Sequence, residues 1–598
     1  MQVTAHPDDD LLFMNPDVMD DIRNGMNVET VVLTAGESGA GIPPDTHDPK
    51  VYTAERDTGQ SAAYAAMAGV PDTWRVSQVR SGNISIEVRT LVGRPGVRIA
   101  RLYLPDGGDR RSNLGRNSLT RLQTDSTGKL CARLQPQSPG GHVPCYTHRD
   151  VVRALTTLLA LFRPQVVRTQ DAYPDVRYQH DHNDHIAAAR LTDEAVRVHA
   201  VRYPGVLQVG YQDYSIMNYP ENLTATQHLD KTKFFQLYAQ HDYRLPKRPT
   251  RYLLWPKRMR YRWPRGSAWL GTGPDGRTQA FAISAGRLMV WWQDSGGWRG
   301  PTVLGDGGGA LAQAIQVEQT PAGPAVAALR PATDQIVIAT PRLVQGRWQT
   351  SWASAGSPSP GSTGERIGVP VIVRDAKGQL LVFARDARGG VSVRCGIGGK
   401  STWHRLSHPS LPWEPSHDLH RTQASSHQPV AVSGAPVATP GGPTFQDLQD
   451  GLITTTTNGR IDLFGESRTA VLHWQQSGPC AFAPAGTIAG ARPTSRLGLT
   501  RDAQGHSALV YQQTGSLDVM QTTGSNATVY SGPVLQQTGE APVPVDATVP
   551  SLGISLVGAP ATIREGGHQV VYAIAADGRL YRTAQDSKGT FGRWRSLS

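Results

Sequence analysis

Residues 1–10 read Met1-Gln2-Val3-Thr4-Ala5-His6-Pro7-Asp8-Asp9-Asp10, and residues 28–39 read Val28-Glu29-Thr30-Val31-Val32-Leu33-Thr34-Ala35-Gly36-Glu37-Ser38-Gly39. Each is a short β-branched, apolar run that stops at a polar loop. Arg98–Leu104 and Gln165–Thr169 repeat the pattern. Between these runs lie stretches with helical composition: Pro16–Asn24, Ala54–Ala68, Arg149–Phe162 and Asp184–Ala200. Strands alternating with helices predict a parallel, doubly wound α/β sheet. In such sheets ligands collect beyond the carboxyl ends of the strands. Three loops are then expected on one rim: His6–Asp10, Gly36–Gly39, and Asp171 through His185.

The chain has 598 residues, more than one compact domain usually holds. Its 63 glycines and 43 prolines, with only 18% charged residues, suit many short strands and turns. No apolar stretch approaches the roughly 20 residues of a membrane span. The formal charge of +11 comes mostly from arginine. No dense basic run with interleaved aromatics accompanies it, so nucleic-acid binding is not expected. The first strand looks clipped against a usual length of about five or six residues. An upstream segment such as a secretion signal is therefore expected, and with it a secreted or extracellular protein, although the signal is not in the sequence.

None of Cys131, Cys145, Cys395 and Cys480 has Cys-x-x-Cys spacing, which argues against a cysteine metal site. Cys131 and Cys145 flank a Gly/Pro-rich loop and are expected to be bridged, as an oxidising compartment allows. Cys395 and Cys480 are too far apart in sequence to pair by inspection.

From about residue 265 the helical pattern disappears. A turn residue followed by an alternating strand recurs at Gly286–Trp291, Asp334–Ile338, Gly378–Phe383, Gly459–Phe464, Gly515–Met520 and Gly578–Tyr581. Tryptophans follow several copies (Trp298, Trp348, Trp403, Trp594). The repetition predicts a β-propeller of six or seven blades over 265–598, in preference to a pair of β-sandwiches. Leu254–Arg265 is the expected linker after a first domain over 1–255. Trp291, Trp292, Trp352, Trp413 and Trp474 are expected mostly in blade cores, a minority being candidates for stacking on sugar rings. Asp294-Ser295-Gly296-Gly297-Trp298 reads as a blade turn.

The chemistry concentrates in His6-Pro7-Asp8-Asp9-Asp10 and Asp181-His182-Asn183-Asp184-His185. Pro7 stiffens the first loop, so that His6 and Asp9 can face one point. Asp8 then stands beside the point as a spare carboxylate, which is what a general base near a metal requires. His182 and His185 are three apart at a helix start and share a face. One can ligate while the other reaches past the metal. Either piece alone would be an ordinary solvated turn or a surface histidine. Two such pieces at strand ends of one sheet point to a metal site. The glycines of Gly36–Gly41 do not fit a dinucleotide-binding loop. His241 is expected on the surface or in the core, and Asp171 is a candidate for a hydrogen bond behind a ligand histidine.

Ala5-His6-Pro7-Asp8-Asp9 and His182-Asn183-Asp184-His185 resemble the LmbE/PIG-L-like zinc N-deacetylases, whose fold is Rossmann-like. Thr34–Gly39, the helix from near Arg56 to Ala68-Gly69-Val70, and Leu104-Pro105-Asp106-Gly107 add to the likeness. It covers about the first 250 residues, and the second half looks like an appended lectin-like propeller. The resemblance implies that His6, Asp9 and His185 bind Zn2+, or another divalent metal. It further implies that Asp8 is the general base, that His182 steadies the oxyanion, that Asp184 orients and tunes His182, and that Arg56 contacts substrate. Two positions depart from the family. Asp10 stands where Glu is common, and the helix of Arg56 lacks a glutamate one turn on.

The expected function is hydrolysis of the N-acyl group, most simply N-acetyl, of an amino sugar or of a glycan or glycoconjugate containing N-acetylglucosamine. The propeller would hold the larger carrier. One alternative is a non-catalytic carbohydrate-binding protein with a structural metal. Another is a glycosidase on the propeller, which would need paired carboxylates and an arginine cluster on one face. Composition and spacing leave the oligomeric state, the sugar and the acyl chain open.

Overall fold

The structure is a computed structural model of the chain. It describes residues 1–597 apart from 108–117, 134–143, 178–180, 246–248, 363, 398–400, 409–447, 468–469, 489, 502–506, 523–526 and 539. In chain order the first part comprises β1 (Gln2–Thr4), α1 (Asp17–Arg23), β2 (Val28–Thr34), α2 (Pro49–Ala68), β3 (Trp74–Ser81), β4 (Ile84–Leu91) and β5 (Val97–Leu104). There follow α3 (Leu119–Thr124), β6 (Lys129–Cys131), β7 (Cys145–Thr147), α4 (His148–Phe162), β8 (Val166–Thr169), α5 (Asn183–His199), β9 (Leu207–Gly210) and α6 (Ala225–Ala239).

Strands β9, β8, β1, β2 and β5 lie side by side and parallel. The hairpin β3–β4 extends the sheet antiparallel beyond β5. All seven residues of β2 are buried, as a parallel strand covered on both faces requires. One face packs on α4 and α5, through Leu155, Leu158, Ala188 and Leu191. The other packs on α1, α2 and α6, through Val18, Ile22, Tyr64, Phe234 and Tyr238. The order of the strands reverses at β1, whose neighbours are β2 on one side and β8 on the other. This is the topological switch point, where the loops after β1 and β8 part and leave a crevice.

Local signals set the helix ends. Asp48 caps α2 by accepting the N–H groups of Lys50 and Val51, Pro49 opens the helix, and Gly69 closes it with φ 67°. Thr147 and Asp150 form a reciprocal capping box on α4.

The all-β part begins with β10 (Leu270–Thr272), β11 (Thr278–Ser284), β12 (Arg287–Asp294) and β13 (Gly297–Gly305). These four antiparallel strands continue the first sheet, because Ser284 of β11 pairs with Leu207 of β9, and the joined sheet has 11 strands. A five-bladed all-β propeller follows, not the expected six or seven blades, with four-stranded sheets at 315–356, 371–405, 448–488, 498–529 and 561–596, because β10–β13 belong to the first sheet. The strands β10–β13 pack between the first and last of these: one apolar cluster joins Trp291 and Phe281 to Val326 and Val337 on one side and to Val570 and Tyr572 on the other.

Each of the six turn-and-strand phrases falls in a different sheet. The first, on β12, is not a free-standing blade, because its sheet is hydrogen-bonded into the α/β domain. Trp291 and Trp474 are fully buried, whereas Trp292 meets Trp348 edge-on at 5.5 Å. Trp413 lies outside the described residues. Asp294 accepts the Gly296 N–H at 2.7 Å in the expected blade turn.

The segment expected to be a linker is packed. Trp255, Met259, Tyr261 and Trp263 are buried, and Arg262 donates its backbone N–H to Gly210. Disulfides join Cys131 to Cys145, between β6 and β7, and Cys395 to Cys480, between neighbouring blades. Among the described residues no helix is long and apolar enough to cross a membrane.

Candidate metal centre

The loop after β1 folds at once into a π-helical turn, Asp10–Met14. This tight geometry turns His6 and Asp9 to the same side, and Asp9 Oδ2 accepts the His6 backbone N–H at 2.6 Å. The loop after β8 brings Asp181, His182 and His185 to the same rim. His6 Nδ1 is 3.2 Å from His185 Nε2 and 3.3 Å from Asp9 Oδ2, while His185 Nε2 is 3.1 Å from Asp9 Oδ1. Ligand atoms on a tetrahedral zinc with bonds of about 2.0–2.1 Å are about 3.3 Å apart. The two ring nitrogens have that separation, and each lies about as far from a different oxygen of Asp9, so the cluster is compatible with a divalent ion.

His182 is also close, its ring 4.6 Å from that of His6, and the three imidazoles together form a set able to hold a metal. Its Nδ1, however, accepts the Asp184 N–H at 3.1 Å and serves as the N-cap of α5. That bond leaves the proton of a neutral ring on Nε2. Burial first, and then the nearby charge of His6, hold the His182 pKa below its ordinary value, so the neutral form is favoured. The Asp184 carboxylate turns elsewhere: Oδ2 accepts the Gly107 N–H at 2.7 Å and lies 3.7 Å from His6 Nε2, against 3.9 Å from His182 Nδ1. Asp184 thus meets His182 most directly through its backbone.

Behind His185 stand two carboxylates that sequence reading did not single out for this task. His185 Nδ1 donates to Asp181 Oδ1 at 2.9 Å and lies 3.5 Å from Asp213 Oδ2. With the proton fixed on Nδ1, Nε2 presents its lone pair toward Asp9 and His6. Asp181 sits just ahead of the His182 N-cap of α5, four residues before His185, and that nearness in sequence could have revealed it. Asp213 lies beyond β9 and has no local signal. Asp171, the candidate for this position, pairs with Arg262 at 2.9 Å and reaches Asp213 through its own N–H at 3.3 Å.

Burial alone would lower the pKa values of His6 and His185. Asp9, with Asp106 beside His6 and with Asp181 and Asp213 beside His185, outweighs burial and raises both well above the usual value. Asp9 shows the converse. Burial would raise its carboxyl, but His185 and His6 bring it well below the usual range.

Asp8 is buried, and burial raises its pKa against the opposing pull of Arg56. Arg56 Nη2 donates to Asp8 Oδ1 at 2.6 Å, Nε donates to the Tyr238 hydroxyl at 2.5 Å, and Nη1 donates to the Gly36 carbonyl. Gly36 has φ 67°, and a Cβ there would collide with this guanidinium at 2.7 Å. The Arg56 side chain is only 6% exposed, so in this structure it serves to hold Asp8. Asp10, at the family's glutamate position, accepts from the Tyr64 hydroxyl, and burial pushes its pKa up to about 7. Phe13 and Tyr214 wall the site, with Tyr214 edge-on to His185 at 5.1 Å.

Residues 1–196 match the family described as "PIG-L: GlcNAc-PI de-N-acetylase". No curated protein matches the chain. Solved structures similar to it include the BP39L lectin from Burkholderia pseudomallei (18% identity, 56% of this chain and 85% of that one, TM-score 0.31). AofleA from Arthrobotrys oligospora is another (11% identity, 56% and 87%, TM-score 0.34). A third is the six-bladed lectin of Aleuria aurantia (11% identity, 53% and 90%, TM-score 0.29). The N-terminal domain of this chain is a PIG-L/LmbE domain, with a His/Asp cluster compatible with a divalent metal at the carboxyl ends of its central strands.

Proposed function

We propose that the chain is a metal-dependent N-deacetylase acting on an N-acetylated amino sugar, free or within a larger glycan or glycoconjugate. The observation that carries this is the approach of His6 Nδ1 and His185 Nε2, 3.2 Å apart, each 3.1–3.3 Å from a different oxygen of Asp9, beside the separate carboxylate of Asp8. In this proposal His6, Asp9 and His185 hold Zn2+ or a similar ion. Bound there, such an ion would lower the pKa of water and polarise an amide carbonyl.

The protein's own groups do the rest. Arg56 occupies Asp8 Oδ1, which leaves Oδ2 to take the proton of the attacking water and return it to the departing nitrogen. Burial raises the affinity of Asp8 for that proton. The neutral His182 directs its Nε2 proton toward the carbonyl oxygen as negative charge grows there. Asp184 fixes the tautomer through its backbone N–H. The products are a carboxylic acid, acetate in the simplest case, and a free amine. Two disulfides agree with an exported protein.

The test is metal content of purified protein together with amine release from N-acetylglucosamine derivatives, chitooligomers and N-acyl glycopeptides. Release lost on chelation and regained with zinc is the expected result. Protein that holds no metal, or that holds zinc yet releases no amine from any of these, overturns the proposal.

A further inference from the structure

The segment between β8 and α5, which leads into His182 and His185 at the start of α5, begins at Asp171, and its first seven residues are gripped from the other half of the molecule. Arg262, in the buried joint, pairs with Asp171 at 2.9 Å and donates Nε to the Tyr173 carbonyl at 3.1 Å. The Val176 N–H reaches the Gly364 carbonyl at 3.4 Å, and Arg177 Nη2 donates to the Arg366 carbonyl at 3.2 Å. Arg385, on the strand Leu380–Arg385 of the second blade, lies 3.4 Å from Asp175 Oδ2, with the two side chains 1% and 6% exposed. Asp175 is also bonded to Arg177. The grip continues to the site through the Asp171 N–H, which donates to Asp213 behind His185.

Asp175 is held between Arg177 and Arg385, and side chains buried to this degree have few alternative positions because water does not reach them to replace a lost contact. Segment 171–177 is thereby tied to the propeller at Asp175, Val176 and Arg177. We infer that Arg385 and Asp175 are positioning residues of the metal centre: the second blade holds the loop after β8 so that His185 and the carboxylates behind it keep the orientation a metal requires. This deepens the proposed function and rests on its assignment of His185 as a ligand. It makes the propeller part of the centre's framework as well as a possible carrier of substrate.

The experiment measures the zinc dissociation constant of the full-length protein by competition with a chromophoric chelator. It compares wild type with Arg385→Met, Arg385→Lys and Asp175→Asn, and with Arg405→Gln as a control. Arg405 pairs with Asp386 at 3.1 Å within the same blade and, among the described residues, makes no ion pair or hydrogen bond to segment 171–177. Arg385→Met and Asp175→Asn are expected to weaken zinc binding about tenfold, the low end of what disturbed outer-shell support costs. Arg385→Lys should recover part of the loss, and Arg405→Gln should bind as wild type. Far-ultraviolet circular dichroism establishes that each variant is folded. Should Arg385→Met fail to fold, Asp175→Asn decides. A folded Arg385→Met or Asp175→Asn that binds zinc within twofold of wild type overturns the inference, as does an equal loss in Arg405→Gln. Wild type that binds no zinc overturns it together with the metal assignment. Wild type that binds zinc but releases no amine removes the proposed activity alone, and the affinities still judge the positioning role.

Discussion

In the first domain Arg168 and Asp21 meet at 2.7 Å with 6% of each side chain exposed, whereas in the last blade Arg564 and Asp546 meet at 2.8 Å with 61% and 42% exposed. The α/β domain buries Asp8, Asp9, Asp10, Asp17, Asp21, Arg56 and Arg168. The blades bury mostly apolar side chains and spend many aspartates on turns, as where Asp375 and Asp586 accept backbone N–H groups two residues on. Some blade charges are buried too, among them Asp386, Asp462, Glu466 and Arg385, the last against the first domain. Internal charge is costly and is kept where it orients other groups; surface charge mainly solvates.

Four measurements would break or sharpen this contrast. The largest effect is expected for Asp8→Asn, which should lower amine release by about 10²–10⁴-fold while zinc content stays at the wild-type level. Loss of zinc together with activity would place Asp8 among the ligands. Next, Arg168→Met should destabilise the protein by about 3–5 kcal/mol in chemical denaturation, because Asp21 is left buried and unpaired. Arg564→Met should cost less than about 1 kcal/mol in the same assay. Similar values for the two would erase the distinction.

Asp181→Asn should weaken zinc binding by about 10–100-fold through His185, read by chelator competition. The smallest effect concerns pH. In the metal-free protein His6 and His185 have raised pKa values. Their charged forms stabilise that state fully below the unfolded value of about 6.5, and the contribution is lost as pH rises through the folded values. Zinc needs the same rings deprotonated. The increase in Tm on adding zinc should therefore grow with pH between about 6 and 8. An increase that shrinks over that range contradicts the assignment of these two rings.

Much of the site could be read from residue order. Val28–Thr34 was recognisable as a buried strand because its apolar run is continuous, and the loops after β1 and β8 followed from strand–helix alternation. The Cys131–Cys145 bridge was suggested by the Gly/Pro-rich loop it closes. Other features depend on contacts far apart in sequence. Arg56 was expected to face substrate, yet it meets Asp8, Gly36 and Tyr238, and only the folded sheet brings these together. The hairpin β3–β4 carries no such signal, since Trp74–Ser81 is largely exposed and lacks an apolar run. The stretch Leu254–Arg265 reads as a linker but is packed core. The first turn-and-strand phrase gave no hint that its sheet would hydrogen-bond to β9.

That last connection bears on how the protein is made. Leu207 meets its partner Ser284 only after the ribosome has extended the chain well past the α/β region. At synthesis rates of about 5–20 residues per second the outer strand of the nascent sheet waits several seconds without its neighbour. An uncovered strand invites pairing with other polypeptides, so chaperone occupancy of translating chains should peak in that interval.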